Sequence, residues 1–354
     1  MQTYFTFENI YRAYQTCKRR KSNTLNHLQF AEHLEHNIYK LRDELLDRTY
    51  KPGRSIAFIV EKPKIREIFA ADFRDRVVHH LLCSYLEPIF EKQFIYDSWA
   101  CRTDKGTHRA MLRVKSFSNR LKHSNTYYLK MDIKSFFTSI DQSILYELVA
   151  RKVKNEELLW LTKIIIFHDC AHDIAPKIQS LPSLFDKLPT DKSLFTVARG
   201  KGLPIGNLTS QFFANVYLNE LDQYVKHSLK ARNYVRYVDD ILILGNNKEE
   251  LLLYKYKISK FVQNILALTV HPEKQFIGMV TSGIDFVGYI IRPEYVLIRK
   301  RIANDWRRAI SETGLSDKKR MMLHRSYCAH AVWANGRGLT IKHGSIVTKL
   351  LIGP

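Results

Sequence analysis

The chain has 354 residues, of which 45% are hydrophobic and 26% charged, enough apolar material for a core shared by two or three subdomains. Lysine and arginine number 56 against 35 aspartate and glutamate, a formal net charge of +21. This positive field makes nucleic acid the leading partner, with an acidic membrane surface or simple solubility as the alternatives. No apolar stretch reaches the roughly 18 residues of a membrane span, and no secretion signal is recognisable, so a cytoplasmic location without membrane contact is expected.

The first elements of the chain are predicted from the spacing of its apolar residues. Leucine and isoleucine recur every three or four residues between 34 and 45, which predicts an amphipathic helix over residues 25–48. The segment SIAFIVEKPKIREIFAA then predicts a β-hairpin that turns at Lys62-Pro63-Lys64. Lys62, Lys64 and Arg66 would lie near its tip, where they could grip phosphates or simply face solvent.

Helices and β-runs alternate along the middle of the chain. A helical spacing covers residues 74–89, and a β-run covers 126–131 and ends in a turn at Asp132. After a further helix near 156–168, residues 170–200 form a long connection rich in Pro and Lys. This connection looks like an insertion and is expected to be irregular.

The cysteines are scattered without a CxxC pair, which favours reduced thiols. The stretch HDCAH brings His168, Cys170 and His172 together and could be a metal cluster. Because no second group completes a zinc site, a role in a loop or in the core is favoured.

The last third of the chain begins with a helix and ends with a change of composition. The stretch GNLTSQFFANVYLNELDQYVK predicts a helix capped by Asn207 or Thr209. After FVGYII the sequence becomes basic, so a boundary is placed near residue 292. A basic amphipathic helix is predicted at 299–311.

Two adjacent carboxylates interrupt an apolar β-run in NYVRYVDDILILG. Side chains on a regular strand alternate between its faces, so Asp239 and Asp240 can act together only if the chain bends there into a hairpin. Two like charges ~4 Å apart repel by about 1 kcal/mol in water and about 4 kcal/mol at an effective dielectric constant of 20. A hard divalent cation relieves that repulsion, and Mg²⁺ suits sites that also use phosphate oxygens. The pair therefore indicates phosphoryl chemistry, with an ordinary polar turn as the alternative.

A third carboxylate is needed to hold two metal ions about 3.5–4 Å apart. Asp132 is the candidate, because it too follows an apolar β-run, YYLKM. If that strand pairs beside the Asp239-Asp240 hairpin, the three carboxylates meet at one edge of a sheet.

The order of five motifs is more specific than any one of them. DIKSFFTSID, GLPIGNLTSQ, YVDD, HPEKQF and FVGYI, in this order, resemble the motif series of reverse transcriptases, the RNA-directed DNA polymerases, over roughly residues 50–292. The resemblance implies an α+β right-hand polymerase with fingers, a palm whose antiparallel sheet carries the YVDD hairpin, and a helical thumb. The implied ranges are fingers at 1–105 and 141–206 with an insertion at about 170–200, palm at 106–140 and 207–292, and thumb at 293–354.

The resemblance also assigns the catalytic residues. It implies that Asp132 and Asp239 bridge two Mg²⁺ ions, for which Mn²⁺ is a substitute, and that Asp240 contributes less directly. The backbone carbonyl of Ile133 would be an added ligand.

Further positions match the binding residues of the family. Phe137 corresponds to a ring under the sugar of the incoming nucleotide, which would select deoxynucleotides, although it could also be a core ring beside Phe136. Arg66 corresponds to the residue that grips the triphosphate, with Lys62 or Lys64 assisting. The other implied contacts are Ile205, Gly206, Gln211 and Lys274 for the nucleotide, Phe286, Gly288 and Tyr289 of the primer grip, and Arg299, Lys300 and Arg301 of a thumb helix along the template–primer duplex.

One departure suggests a subtype. Many family members have Gln before the glycine of the PxG motif, where this chain has Ile205. The stretch GLPIGNLTSQ, and more loosely RSYCAHAVWANGRGL, is similar to reverse transcriptases of diversity-generating retroelements, which copy a template RNA with frequent errors opposite adenine. The implied partners are a template RNA, a DNA or RNA primer, dNTPs and a small basic accessory protein.

Alternatives remain open at this point. The 170–200 insertion is compatible with a retron or phage-defence reverse transcriptase, and the charge alone is compatible with a non-catalytic nucleic-acid-binding protein or a two-metal nuclease. A group II intron protein is not expected, because the thumb takes up residues 293–354 and leaves no room for a maturase or endonuclease domain.

Overall fold

The computed structural model describes residues 3–19, 21–62, 64–122 and 125–352. The strands are β1 (Ile56–Val60), β2 (Arg66–Ala70), β3 (Tyr127–Met131), β4 (Lys177–Ile178), β5 (Asn233–Tyr237), β6 (Asp240–Gly245), β7 (Phe276–Met279), β8 (Ile284–Phe286), β9 (Tyr289–Ile291) and β10 (Val296–Ile298). The helices are α1 (Phe7–Cys17), α2 (Leu25–Glu32), α3 (Leu34–Leu46), α4 (Phe73–Glu91), α5 (Thr107–Arg120), α6 (Phe136–Ser139), α7 (Gln142–Ala150), α8 (Glu156–Phe167), α9 (Pro182–Phe185), α10 (Leu208–Gln223), α11 (Lys248–Leu266), α12 (Lys300–Ser311), α13 (Asp317–Ala331) and α14 (Arg337–Ile352).

The chain divides into two compact units. The first consists of Met1–Ile95, Ile133–Tyr224 and Ser259–Val270, and the second of Tyr96–Asp132, Val225–Ile258 and His271–Pro354. The predicted ranges of fingers, palm and thumb stay a prediction. Within the described ranges, none of the helices combines the length and the apolar character needed to cross a membrane.

The first unit contains a small mixed sheet with the strand order β2-β1-β4. The predicted hairpin is present as antiparallel β1 and β2, with Val60 opposite Arg66, while Pro63 lies outside the described residues. The 170–200 connection, expected to be irregular, contains α9 and strand β4, which pairs in parallel with β1. One predicted element is wrong: the helix over residues 25–48 is interrupted at His33, whose backbone is not helical (φ −123°, ψ 50°), so α2 and α3 are separate.

The second unit is built on a four-stranded antiparallel sheet with the order β5-β6-β3-β7 and a three-stranded antiparallel sheet with the order β10-β9-β8. A hydrophobic cluster joins α5 to these sheets, and Val235 of β5 and Leu242 and Leu244 of β6 belong to it. The neighbouring residues of both strands are buried as well, so the four-stranded sheet is covered on both faces. The buried members of the cluster include Trp99, Val114, Phe117, Val235, Leu242, Phe286 and Tyr289. The fold is α+β, as predicted.

A separate cluster holds the helices at the end of the chain. Trp306 and Ile310 of α12 are fully buried and pack with Ala331 of α13 and Val347 of α14. The basic helix predicted at 299–311 is therefore present as α12, with its apolar side inward.

Candidate active site

The YVDD motif forms a tight hairpin between β5 and β6. Tyr237 pairs with Asp240, which leaves Val238 and Asp239 as the two turn residues. Val238 has a left-handed backbone (φ 55°), as the first central position of such a turn requires, although β-branched residues rarely adopt it. The bend predicted at the two carboxylates is present, and the local strain is of the kind that concentrates at functional sites.

A buried arginine, Arg236, stabilises the Val238-Asp239 turn by a hydrogen bond to its backbone. Arg236 is fully buried, and its Nη1 donates to the carbonyl oxygen of Val238 at 2.9 Å. Its Nη2 donates to Oγ of Ser98 at 3.0 Å. Sequence reasoning missed this residue, because an arginine on a strand gives no local sign that it turns inward to a backbone oxygen.

Asp132 lies beside the hairpin because β3 is the other neighbour of β6. Met131, the last residue of β3, is opposite Ile241, so one further step in the register sets Asp132 opposite Asp240. The carbonyl oxygen of Asp132 accepts a hydrogen bond from the backbone N–H of His271 at 2.7 Å. The three predicted carboxylates therefore share one edge of one sheet.

The carboxylates perturb each other electrostatically. Burial, followed by the negative charges of Asp132 and Asp240, raises the pKa of Asp239 to about 7. Burial also raises the pKa of Asp240, against the opposing effect of Lys130. The three carboxylates thus repel one another, and a bound cation would relieve this repulsion.

Two lysines partly compensate this charge. Lys274, the last residue of the HPEK stretch of the predicted HPEKQF motif, has its Nζ 2.9 Å from Oδ2 of Asp132. Lys130 Nζ lies 3.8 Å from Oδ1 of Asp240 and donates to the carbonyl oxygen of Asp285 at 2.8 Å. Lys130 was not predicted, although it precedes Asp132 by two residues and so projects from the same face of β3.

The donor set fits a hard divalent cation in its chemistry. All three side chains offer carboxylate oxygens, the ligands that Mg²⁺ prefers. In residues 3–19, 21–62, 64–122 and 125–352, however, no three His, Cys, Asp or Glu side chains are arranged to hold a metal ion. Because Asp132 is engaged with Lys274, an ion would replace this lysine as the partner of the carboxylate. HDCAH likewise gives no cluster: His172 bonds to Asp169, and Cys170 is buried.

The FVGYI motif forms a second tight hairpin, between β8 and β9. Phe286 and Tyr289 are paired and fully buried in the core of the second unit, so these two predicted primer-binding side chains support the hairpin from inside. Gly288 lies in the turn at φ 93°, and a Cβ added there would come within 2.9 Å of Cδ1 of Ile302. The backbone conformation is what favours glycine here, because the Cδ1 atom lies at the end of the flexible Ile302 side chain and can move aside.

The basic residues at the start of α12 differ in their surroundings. Arg299 caps α12, forms an ion pair with Asp285, and donates its backbone N–H to the carbonyl oxygen of Gly288 at 3.0 Å. Lys300 and Arg301 are exposed. Arg299 therefore links the hairpin to the helix, whereas the other two face solvent.

Comparison with known proteins decides the family. A family model described as reverse transcriptase (RNA-dependent DNA polymerase) matches residues 51–291, more than half of the chain. The chain belongs to the reverse transcriptase family. This confirms the enzyme class and the right-hand polymerase fold that the order of the motifs predicts.

Individual relatives of this reverse transcriptase are distant. Protein YkfC of Escherichia coli (strain K12) is 26% identical, over 74% of this chain and 71% of YkfC. The group II intron-encoded protein LtrA of Lactococcus lactis subsp. cremoris is 23% identical, over 73% of this chain and 50% of LtrA, so the match spans half of the intron protein. Apo telomerase from Candida tropicalis, truncated from its C-terminal domain, superposes with a TM-score of 0.51 and 13% identity over 70% of this chain and 55% of that chain, which shows the fold alone.

The remaining predicted residues of the reverse transcriptase lie in the first unit. Lys62, Lys64 and Arg66 are exposed around the β1–β2 turn, as predicted. Phe137 is half-buried in α6, whereas its neighbour Phe136 is buried, so the ring of Phe137 is the more available of the two.

The PxG segment packs on strand β2. The carbonyl oxygen of Ile205 accepts a hydrogen bond from the backbone N–H of Phe69 at 2.8 Å. A Cβ added to Gly206 would lie 2.8 Å from the carbonyl oxygen of Phe69. Asn207 is the N-cap of α10, as predicted, but its Oδ1 accepts from the N–H of Ala71 rather than from its own helix. Gln211, in the first turn of α10, is exposed.

Proposed function

We propose that this reverse transcriptase adds deoxynucleotides to a primer on an RNA template, with catalysis by Asp132, Asp239 and Asp240. The observation that carries the proposal is the placement of the three carboxylates at one sheet edge, which the pairing of Met131 with Ile241 and of Tyr237 with Asp240 fixes. Burial and the two neighbouring carboxylates raise the pKa of Asp239 there. In a turn with only a structural role, replacing one aspartate by asparagine would remove the repulsion between the carboxylates. Three carboxylates in one place therefore indicate a functional site.

Mg²⁺ is the proposed cofactor, with Mn²⁺ as a substitute. Asp132 and Asp239 would hold two ions, with Asp240 and the carbonyl oxygen of Ile133 as further ligands. Bound there, the ions would activate the primer 3′-oxygen and neutralise the triphosphate and the leaving pyrophosphate.

The residues of the chain would orient the reactants. The hairpin turn fixes the direction of the Asp239 carboxylate, since Arg236 holds the Val238 carbonyl. Lys274, released from Asp132, would be free to attract the triphosphate. From the resemblance to the family, Arg66 would grip the triphosphate, and Phe137 would exclude a 2′-hydroxyl.

The net charge of +21 supports a polyanionic substrate. Lys300 and Arg301 are exposed on α12, where they would contact phosphates of the template–primer duplex. Contacts to phosphates do not distinguish one base sequence from another. Binding is therefore expected to depend on the salt concentration and on the shape of the duplex.

Primer extension on an RNA template with each dNTP tests the proposal. Asp132→Asn and Asp239→Asn are expected to lower the rate by at least about 10³-fold while the proteins remain folded. Asp104→Asn is the matched control, because this aspartate is exposed in the same unit and its left-handed backbone tolerates Asn. Wild-type extension rates in Asp239→Asn would contradict the proposal.

The finer part of the proposal is error-prone synthesis in a diversity-generating retroelement. It is supported by GLPIGNLTSQ, in which Ile205 replaces a glutamine and cannot donate or accept a side-chain hydrogen bond. Misincorporation opposite adenine should fall in Ile205→Gln if the apolar side chain removes a check on nucleotide position. Equal error rates in the two proteins would remove this link.

The second candidate function is cDNA synthesis of the kind expected for a group II intron reverse transcriptase, without frequent errors opposite adenine. It is favoured by the similarity to the group II intron-encoded protein LtrA. An intron-type enzyme is expected to copy adenine as faithfully as the other template bases, so the wild-type error spectrum separates the two candidates. The accessory protein of the retroelement type stays a prediction.

A further inference from the structure

One short segment of the 170–200 connection is fastened to the turn that carries Phe137. Oγ of Ser135 donates to Oδ2 of Asp191 at 2.6 Å. Oγ1 of Thr138 donates to the carbonyl oxygen of Asp191 at 2.7 Å. Asp191 therefore holds the chain on both sides of Phe137. All of these residues belong to the first unit.

The turn before Phe137 has a conformation that needs support. Ser135 has a left-handed backbone (φ 46°), which is unfavourable for an L-residue and is kept only where neighbouring contacts offset its cost. On the other side, the N–H of Leu203 donates to the carbonyl oxygen of Phe137 at 2.8 Å. The backbone around Phe137 is thus held by Leu203, which directly precedes the PxG motif, on one side and by Asp191 on the other.

The same segment is anchored to strand β2. Glu67, buried at 4% exposure, accepts from Oγ of Ser193 at 2.8 Å and from the N–H of Leu194 at 2.7 Å. Glu67 follows Arg66 directly, so its carboxylate and the Arg66 side chain leave opposite faces of β2. Residues 190–196 therefore connect the strand of the proposed triphosphate grip to the turn of the proposed gate.

We propose that Asp191 is a positioning residue that fixes the Phe137 ring and so sets the discrimination between deoxy- and ribonucleotides. The inference rests on the proposed role of Phe137 as the gate. The hydrogen bond from Ser135 lowers the pKa of Asp191, so its carboxylate is ionised at neutral pH and makes a charge-assisted bond. Without this bond the Ser135 turn can relax, and a small displacement of the ring admits a 2′-hydroxyl.

The test compares kcat/KM for dNTP and rNTP incorporation. Asp191→Ala should lower the discrimination ratio by about three- to tenfold, the range expected for the loss of one solvent-exposed hydrogen bond. Asp191→Asn, which keeps an acceptor oxygen, should restore most of the ratio. Asp186→Ala, an exposed aspartate of the same connection, is the matched control and should leave the ratio unchanged.

A second variant separates positioning from general destabilisation. Ser135→Ala removes the same hydrogen bond from the other side, so the double variant Asp191→Ala/Ser135→Ala should lose no more discrimination than Asp191→Ala alone. A ratio that stays at the wild-type value in Asp191→Ala, or effects of the two changes that simply multiply, would overturn the inference.

Phe137→Ala distinguishes failure of this inference from failure of the gate itself. If Phe137→Ala admits ribonucleotides and Asp191→Ala does not, the gate stands and the role of Asp191 is wrong. If Phe137→Ala leaves the ratio unchanged, the gate role in the proposed function is wrong, and the inference is overturned with it.

Discussion

Arg236 donates a hydrogen bond to the carbonyl oxygen of Val238, one residue before Asp239. A fully buried guanidinium thus stabilises the turn with the strained backbone (Val238 φ 55°) that carries the proposed catalytic carboxylate. The positive charges that act on Asp239 and Asp240 come from other basic residues, Lys130, Lys274 and Arg299. Arg236 therefore contributes to the geometry of the turn.

Arg236→Lys is expected to impair both the stability and the activity of the enzyme. A lysine has one point-like donor group and cannot reproduce the fork that reaches Ser98 and Val238 together. The free energy of unfolding should fall by about 2–4 kcal/mol and the extension rate by about 10- to 100-fold. Ser98→Ala, which leaves the bond to Val238 intact, should lower the melting temperature but keep the rate. Equal rate losses in the two variants would argue against a role of the turn.

Lys274→Ala should change the metal and nucleotide requirements in opposite directions. The lysine competes with cations for Asp132, at an N–O distance of 2.9 Å, so its removal should lower the half-saturating Mg²⁺ concentration by about two- to fivefold. The KM for dNTP should rise, because the triphosphate loses a positive partner. Lys248→Ala, at an exposed lysine outside the site, should change neither quantity. An unchanged or higher Mg²⁺ requirement would show that Lys274 does not compete for Asp132.

Much of the site could be predicted because its signals are local. The Asp239-Asp240 bend follows from two charges in an apolar β-run, and the pairing of β3 with β6 places Asp132 beside it. The two-residue spacing from Asp132 indicates the face of Lys130, but its partners, Asp240 and the carbonyl oxygen of Asp285, depend on strand pairing that local patterns do not encode.

Other features depend on contacts between distant parts of the chain. The break at His33 was not predicted, because no Gly or Pro marks it and the apolar spacing continues through it. The connection at 170–200 looked irregular, since its partners, Glu67 and Ser135, lie far away in sequence. Apolar periodicity reports which face of an element is buried, but not which element covers it.

Gly206→Ala should disrupt the packing of the PxG segment on β2. Its added Cβ would lie 2.8 Å from the carbonyl oxygen of Phe69, and its φ of 128° is unfavourable for any L side chain. Gly200→Ala is the matched control, because Gly200 also has a positive φ (82°) but open space around the added atom. We expect destabilisation of about 2–4 kcal/mol for Gly206→Ala and about 1 kcal/mol for Gly200→Ala in denaturant titrations. Equal midpoints would show that the close approach to Phe69 carries no cost.

His79 should make the enzyme sensitive to mild acid. This residue of α4 is 5% exposed, and burial, followed by the charges of His80 and His168, lowers the pKa of its ring from 6.5 to about 3. Below pH 6.5 this histidine therefore binds a proton in the unfolded chain but not in the folded chain. The free energy of unfolding consequently falls as the pH drops from 6.5 towards 3. Between pH 7 and pH 5 the loss from this residue is about 2 kcal/mol.

Denaturant titrations at pH 7 and pH 5 measure the contribution of His79. His79→Gln has no titrating ring, so the difference in unfolding free energy between the two pH values should shrink by about 2 kcal/mol. His36→Gln, which removes an exposed histidine of the same unit, should leave that difference unchanged. If His79→Gln keeps the full pH dependence, the buried ring is already protonated in the folded enzyme or other histidines carry the acid sensitivity, and the assignment to His79 is wrong.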